Sequence, residues 1–262
     1  MSVGRITTGD GCEIAYRFDG PEDAPVLMLS NSLGTAMAMW EPQMAALTSV
    51  RRVLRYDSRG HGSSGCPVGA YSIDRLGRDV IEVLDALDLA RVDFCGLSKG
   101  GMIGQWLGWR APDRTGKLIL ANTSAYMGPP EGWDTRIRMV EEQGVAAMVA
   151  PVIQRWFRPS FIESSRDAIS PVEAMLLATP AHGYAGCCAA IRDMDQRRAL
   201  ALIAVPTLII AGTDDPATPL EHSELLASRI TSSELICLPA AHLSNIESPQ
   251  GFNDQVAHFL AS

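Results

Sequence analysis

The sequence predicts an α/β fold: a mostly parallel central sheet with helices on both faces, interrupted by one all-helical insertion. Three observations carry this. Short β-rich runs alternate with stretches of helical period along most of the chain. Runs such as Leu208-Ile209-Ile210-Ala211 are apolar throughout, as strands buried on both faces are. From about residue 124 to 202 the alternation stops and only helical pattern remains. A chain of 262 residues can bury one large core. The reading is therefore a single domain over 1–262, with a core of 1–123 and 203–262 and a helical cap at about 124–202.

Taken in order, strands are expected at 5–8, 12–18 and 26–29, a helix at 37–47 and a strand at 52–55. The helix at 73–87 follows Ser72, an N-cap residue type whose hydroxyl can accept from the first-turn amides. A strand at 92–97 runs into a helix over 102–109 that Pro112 closes, and a strand follows at 117–121. In the insertion, helical spacing is read at 132–144, 145–157 and 171–178. Strands at 205–212 and 234–238 and a helix at 248–260 complete the chain.

Between the strand at 92–97 and its helix lies Gly96-Leu97-Ser98-Lys99-Gly100, a G-x-S-x-G at a strand-to-helix junction. That context is what a nucleophile elbow needs: glycines two residues either side let the chain turn sharply while the serine hydroxyl stands clear above the sheet. A serine hydroxyl is a weak nucleophile without a base, so a histidine and an orienting acid must follow. The turn Gly212-Thr213-Asp214-Asp215 after one late strand supplies the acid, and Pro239-Ala240-Ala241-His242 after the next supplies the histidine. Ser98, Asp215 and His242 are thus the expected triad. Asp214 competes for the acid and is read as a solvated turn residue. His61 lies in a glycine-rich turn, His222 and His258 on amphipathic helices and His182 in the insertion; none follows a late strand. The serine-acid-histidine order resembles that of α/β-hydrolases. In that fold the oxyanion hole uses the backbone N–H after the nucleophile, here Lys99, and one from the loop after the third strand, here Leu33.

Six segments together resemble the 3-oxoadipate enol-lactonases: Ser30-Asn31-Ser32-Leu33-Gly34-Thr35, 55–62, 94–98, Leu120-Ala121-Asn122-Thr123, 212–219 and His242-Leu243-Ser244-Asn245-Ile246-Glu247. The likeness spans nearly the whole chain. Asn31-Ser32-Leu33 in place of the common His-Gly is its more discriminating part, whereas the Asp57-to-Gly62 turn is shared widely across α/β-hydrolases. Lys99 departs from that family, which more often has an apolar residue there. The resemblance implies an α/β-hydrolase fold and a cofactor-free serine hydrolase that opens a small carboxymethyl enol-lactone in the β-ketoadipate pathway of aromatic-compound catabolism.

Such a substrate carries a carboxylate. Arg136, Arg138, Arg155 and Arg158 are candidates to meet it, because a guanidinium fork fits a carboxylate. Arg138 is taken as the contact, with Ser32, Trp133 and Trp156 as further pocket residues. Lys99, one of two lysines beside Lys117, is expected to send its ammonium to solvent or to an acid, with a lean over the pocket as the alternative.

The chain has 22 basic and 30 acidic residues, net −8, which argues against nucleic acid or an anionic membrane as partner. No secretory signal precedes the first strand, so a cytoplasmic protein with six reduced cysteines is expected. Cys95 and Cys237 are read as small apolar strand residues, and Cys187-Cys188 as helix packing. No zinc spacing, dinucleotide loop or bilayer-length apolar stretch is present in the sequence, so neither metal nor other cofactor is expected. Oligomeric state is not encoded legibly. Other esterases, C–C bond hydrolases, a perhydrolase and a non-catalytic small-ligand binder on the same fold share these residues and remain open at this point.

Overall fold

The protein is described by a computed structural model over residues 3–262. Met1 and Ser2, which open the stretch read as lacking a leader, lie outside the described residues. The first half of the chain provides β1 (Gly4–Thr7), β2 (Glu13–Asp19), β3 (Val26–Ser30), α1 (Glu41–Leu47), β4 (Arg52–Tyr56), α2 (Ile73–Ala86), β5 (Val92–Leu97), α3 (Lys99–Arg110) and β6 (Thr115–Ala121). Five helices follow: α4 (Pro130–Gln143), α5 (Ala146–Trp156), α6 (Pro159–Ser164), α7 (Arg166–Ala178) and α8 (Ala181–Asp193). The chain then closes with β7 (Thr207–Gly212), α9 (Leu220–Arg229), β8 (Ser233–Leu238), α10 (Ser244–Glu247) and α11 (Pro249–Ala261).

The eight strands form one sheet in the order β1-β2-β4-β3-β5-β6-β7-β8. β2 is antiparallel to both its neighbours, and every pairing from β4 to β8 is parallel. Parallel strands joined by helices bring their carboxyl ends to one edge, which is where such sheets hold their sites. The loops after β3, β5, β7 and β8, carrying Leu33, Ser98, Asp215 and His242, all lie there. The central strands β5 and β7 are buried along almost their full length.

Several expectations need correction. The helix expected at 37–47 is broken into a 3-10 turn, Met37–Trp40, followed by α1, because Pro42 lacks an N–H and is accepted only in a helix's first turn. Pro171, read as opening a helix, sits inside α7, which starts at Arg166. α8 has no separate bounds in the sequence pattern, although its residues fall in the helical insertion: Gly183 through Ile191 are buried on every side, so it lacks the one-sided apolar stripe. Cys237 is exposed, since β8 is the edge of the sheet and covered less completely than β7. Ser72 does cap α2, accepting from the Arg75 N–H at 3.1 Å. Among the described residues no single helix is long and apolar enough to cross a membrane.

Candidate active site

Ser98 joins β5 to α3 with φ +58° and ψ −116°, a conformation that costs an L-residue about 1–3 kcal/mol. The surroundings hold it there. The Ser98 N–H donates to Ala121 O at 2.9 Å, and Ser98 O accepts from the Met102 N–H at 3.0 Å and the Thr123 hydroxyl at 2.7 Å. A Cβ on Gly96 would fall on the backbone of Gly100, and one on Gly100 would fall on the Ser30 carbonyl. The two glycines therefore permit the close approach of β3, β5 and α3 that the turn requires.

Ser98 Oγ lies 2.9 Å from His242 Nε2, and His242 Nδ1 lies 2.8 Å from Asp215 Oδ2. An ionised carboxylate can only accept, so Nδ1 carries the proton and Nε2 is free to accept from the serine hydroxyl. Asp215 is almost wholly buried. It accepts further from the Thr218 hydroxyl at 2.7 Å, from Asn122 Nδ2 at 3.1 Å and from the Ala217 and Thr218 N–H groups at 2.8 and 3.0 Å. Burial opposes its charge, but His242 beside it and these donors outweigh burial and hold the carboxyl well below the ordinary carboxylate value. Asn122 also donates to Ala241 O at 3.1 Å and accepts from the Ser244 hydroxyl, so it ties the acid to the histidine loop. Its φ of +44° is one that asparagine tolerates better than most residues. Asp214 is exposed and makes none of these contacts.

In the loop after β3 the amides on either side of Leu33 are occupied. Ser32 N–H donates to Met39 Sδ at 3.3 Å, Gly34 N–H to His61 Nε2 at 2.8 Å and Thr35 N–H to Ser32 O at 3.3 Å. Among the described residues neither the Leu33 N–H nor the Lys99 N–H donates to a protein acceptor, and Leu33 lines the cavity beside Ser98. His61 is fully buried and serves this loop. Burial, and then the Lys99 ammonium, push its pKa well down, so it is neutral and accepts from Gly34.

Above Ser98 and His242 lies a cavity of about 300 Å³. α4 and α5 roof it, with Trp133 and Trp156 in its wall and Arg136 and Arg155 the two guanidinium groups that line it. Trp156 sits with its ring centroid 6.1 Å from that of His242. Arg136 lies over the Trp133 ring at 5.0 Å, and Arg155 donates to Pro216 O at 3.1 Å. Ser32 Oγ lines the same cavity, is buried and has no hydrogen-bond partner among the described residues.

Two expectations fail here. Arg138 is exposed and donates to Thr135 Oγ1 instead of facing the cavity; two residues along a helix turn the side chain about 200° away from the face that Arg136 presents. The Lys99 ammonium reaches neither solvent nor a carboxylate within ion-pair distance. It is fully buried, 3.9 Å from Cys187 Sγ, and burial lowers its pKa. Arg158 is committed to Glu247 and Asp214 and does not line the cavity. The sequence reading gave no role to Asn122, Thr218 or Glu247, although all three stand in the segments that carry the resemblance. Asn122 and Glu247 reach residues distant in sequence, Asp215 and Arg158, which spacing does not reveal, while Thr218 braces Asp215 from within the same turn. Among the described residues no group of His, Cys, Asp and Glu side chains is placed to hold a metal ion.

The chain belongs to the α/β-hydrolase fold family, whose sequence profile matches residues 25–249. Within that family it is 42% identical over 249 residues to 3-oxoadipate enol-lactonase 2 of Acinetobacter baylyi, covering 95% of this chain and 93% of that protein. The crystal structure of the enol-lactonase from Burkholderia xenovorans superposes with a TM-score of 0.97 at 39% identity, covering 99% of this chain and 100% of the other. A hydrolase from Pseudomonas aeruginosa superposes with a TM-score of 0.97 at 48% identity, covering 99% and 98%.

Proposed function

We propose that this protein opens the lactone ester of 3-oxoadipate enol-lactone with water to give 3-oxoadipate, a step of the β-ketoadipate pathway. The observation that carries the reading is the relay from Ser98 through His242 to Asp215 at the floor of a cavity whose roof holds Arg136 and Arg155. Likeness to enol-lactonases over nearly the full chain supports the choice of substrate.

In the proposed mechanism His242 Nε2 takes the Ser98 proton as Oγ attacks the lactone carbonyl. The Leu33 and Lys99 N–H groups receive the developing oxyanion, and Asp215 stabilises the imidazolium and fixes its tautomer. Collapse breaks the ring C–O bond and expels an enolate, a better leaving group than an alkoxide, which ketonises after protonation. Water activated by His242 then cleaves the acyl-enzyme. Arg136, half-buried on α4, takes the substrate carboxylate with Arg155 at the cavity mouth, while Ser32, Trp133 and Trp156 shape the pocket. This work needs no metal or organic cofactor. We assign residues 124–202 as the cap of a single domain, and six free cysteines suit a reducing cytoplasm.

The test is loss of the ultraviolet absorbance of the enol-lactone on adding purified protein, beside an aryl acetate and with Ser98→Ala as control. Ser98-dependent lactone opening far above acetate turnover is expected. Fast acetate hydrolysis with idle lactone would reassign the cap to another ester.

A further inference from the structure

The last turn of a helix leaves carbonyl groups without intrahelical partners. At the end of α5 one of these is satisfied by the histidine loop: Trp156 O accepts from the Leu243 N–H at 3.1 Å. Just beyond, Arg158 Nε donates to Glu247 Oε1 at 2.5 Å and the Arg158 N–H to the same oxygen at 3.4 Å. The other oxygen of Glu247 accepts from the Ala241 N–H at 2.8 Å. Ala241 and Leu243 are the two neighbours of His242, so the cap holds one directly and the other through a carboxylate. The same turn reaches the acid loop, since Arg155 donates to Pro216 O at 3.1 Å and Arg158 lies 3.8 Å from Asp214 Oδ2. The Glu247 side chain is fully buried while Arg158 is about one-third exposed, so the clamp runs from the surface of the cap to the backbone of the core.

We propose that Arg158 and Glu247 are positioning residues that clamp the cap to the backbone on either side of His242, making the alignment of His242 with Ser98 depend on a seated cap. Charge-assisted bonds of this kind are short and directional. Glu247 bonds Arg158 with one oxygen and the Ala241 N–H with the other. The guanidinium sets a positive charge beside its buried carboxylate, and the carboxylate fixes Ala241. The inference rests on His242 acting as base for Ser98 but not on the identity of the ester.

The test therefore uses aryl acetate hydrolysis and the labelling rate of Ser98 by a fluorophosphonate, with Ser98→Ala as control. Failure of the lactone reading shows as idle lactone with Ser98-dependent acetate turnover, and the clamp is still measured. A misplacement of about 1 Å can cost on the order of 100-fold, so partial loss of alignment is expected to lower kcat and the labelling rate about tenfold. Arg158→Ala and Glu247→Gln should each do this with KM for the acetate changed less than about twofold. Arg158→Lys should recover most of the loss. The double variant, which leaves no unpaired buried charge, should be no slower than the slower single one. Three results would overturn the proposal: lower melting temperature with intact kcat and labelling; slowing by Glu247→Gln but not by Arg158→Ala, which would give the core alone the positioning role; or a rise in KM confined to the lactone, which would make Arg158 a carboxylate contact.

Discussion

The floor and the roof of the cavity are built on opposite terms. In the floor, Ser98, His242, Asp215, Asn122 and Thr218 are all buried, and Asp215 alone accepts five hydrogen bonds. In the roof, Arg136 rests on an aromatic face and Arg155 makes one recorded bond, to a backbone carbonyl. A group whose every lone pair is met has one geometry, and removing any partner leaves an orphan. A guanidinium with donors to spare is open to a ligand. On the proposed reading, the difference assigns reaction chemistry to the floor and substrate choice to the roof.

The largest test of that division is Ser98→Ala. It should cut turnover of lactone and aryl acetate alike by about 10⁴-fold or more, with the circular dichroism spectrum unchanged. Asp215→Asn should follow, with a kcat loss of up to about 10⁴-fold, whereas Asp214→Asn should stay within about threefold. Equal losses would reverse the choice of acid. Asp215 also shows itself in acid. The Asp215 carboxyl is held below its ordinary value of 3.8 in the folded protein, so the unfolded chain takes up that proton first. Its stabilising contribution is complete above about 3.8 and is lost as pH falls toward the lower folded value. Melting temperature measured through that window should fall less steeply for Asp215→Asn than for the natural protein.

The roof should respond to a different substrate rule. Arg136→Ala should lower kcat/KM for the lactone by about 10- to 100-fold, the worth of one lost charge-assisted hydrogen bond. It should leave the aryl acetate, which has no carboxylate, within about twofold, and Arg138→Ala should change neither. Loss on both substrates would place Arg136 in the reaction machinery. The smallest effect sharpens the boundary itself. Lys99→Met keeps the backbone N–H that the proposed mechanism gives to the oxyanion and removes a buried basic side chain, so kcat should change less than about threefold while the melting temperature rises. A large loss of kcat would show that the ammonium contributes to the oxyanion site.

What the sequence made legible follows the range of the interactions. The elbow is visible at Ser98 because local steric demand writes glycine at 96 and 100. The candidate acid is visible because it follows a strand that is apolar almost along its length, and the candidate histidine because it follows the next strand before the last helix. The bounds of α8 are not, since burial on all sides erases the stripe that betrays a surface helix. Pro171 misled because its usual place opens a helix, and here α7 runs through it. Arg136 and Arg138 differ by two positions and are chemically the same; only the rotation of α4 against the cavity separates them.

By itself the sequence determined the α/β class, the order of strands and helices, the nucleophile turn and the candidates for acid and base, because these depend on local propensity, period and steric need. The tertiary structure decided which arginines face the cavity, that the amides on either side of Leu33 are occupied, where the Lys99 ammonium is buried and how Arg158 reaches the Ala241 amide through Glu247. Each of these pairs residues far apart in the chain, and what fixes them is the packing of cap on sheet, to which no short stretch of sequence answers alone.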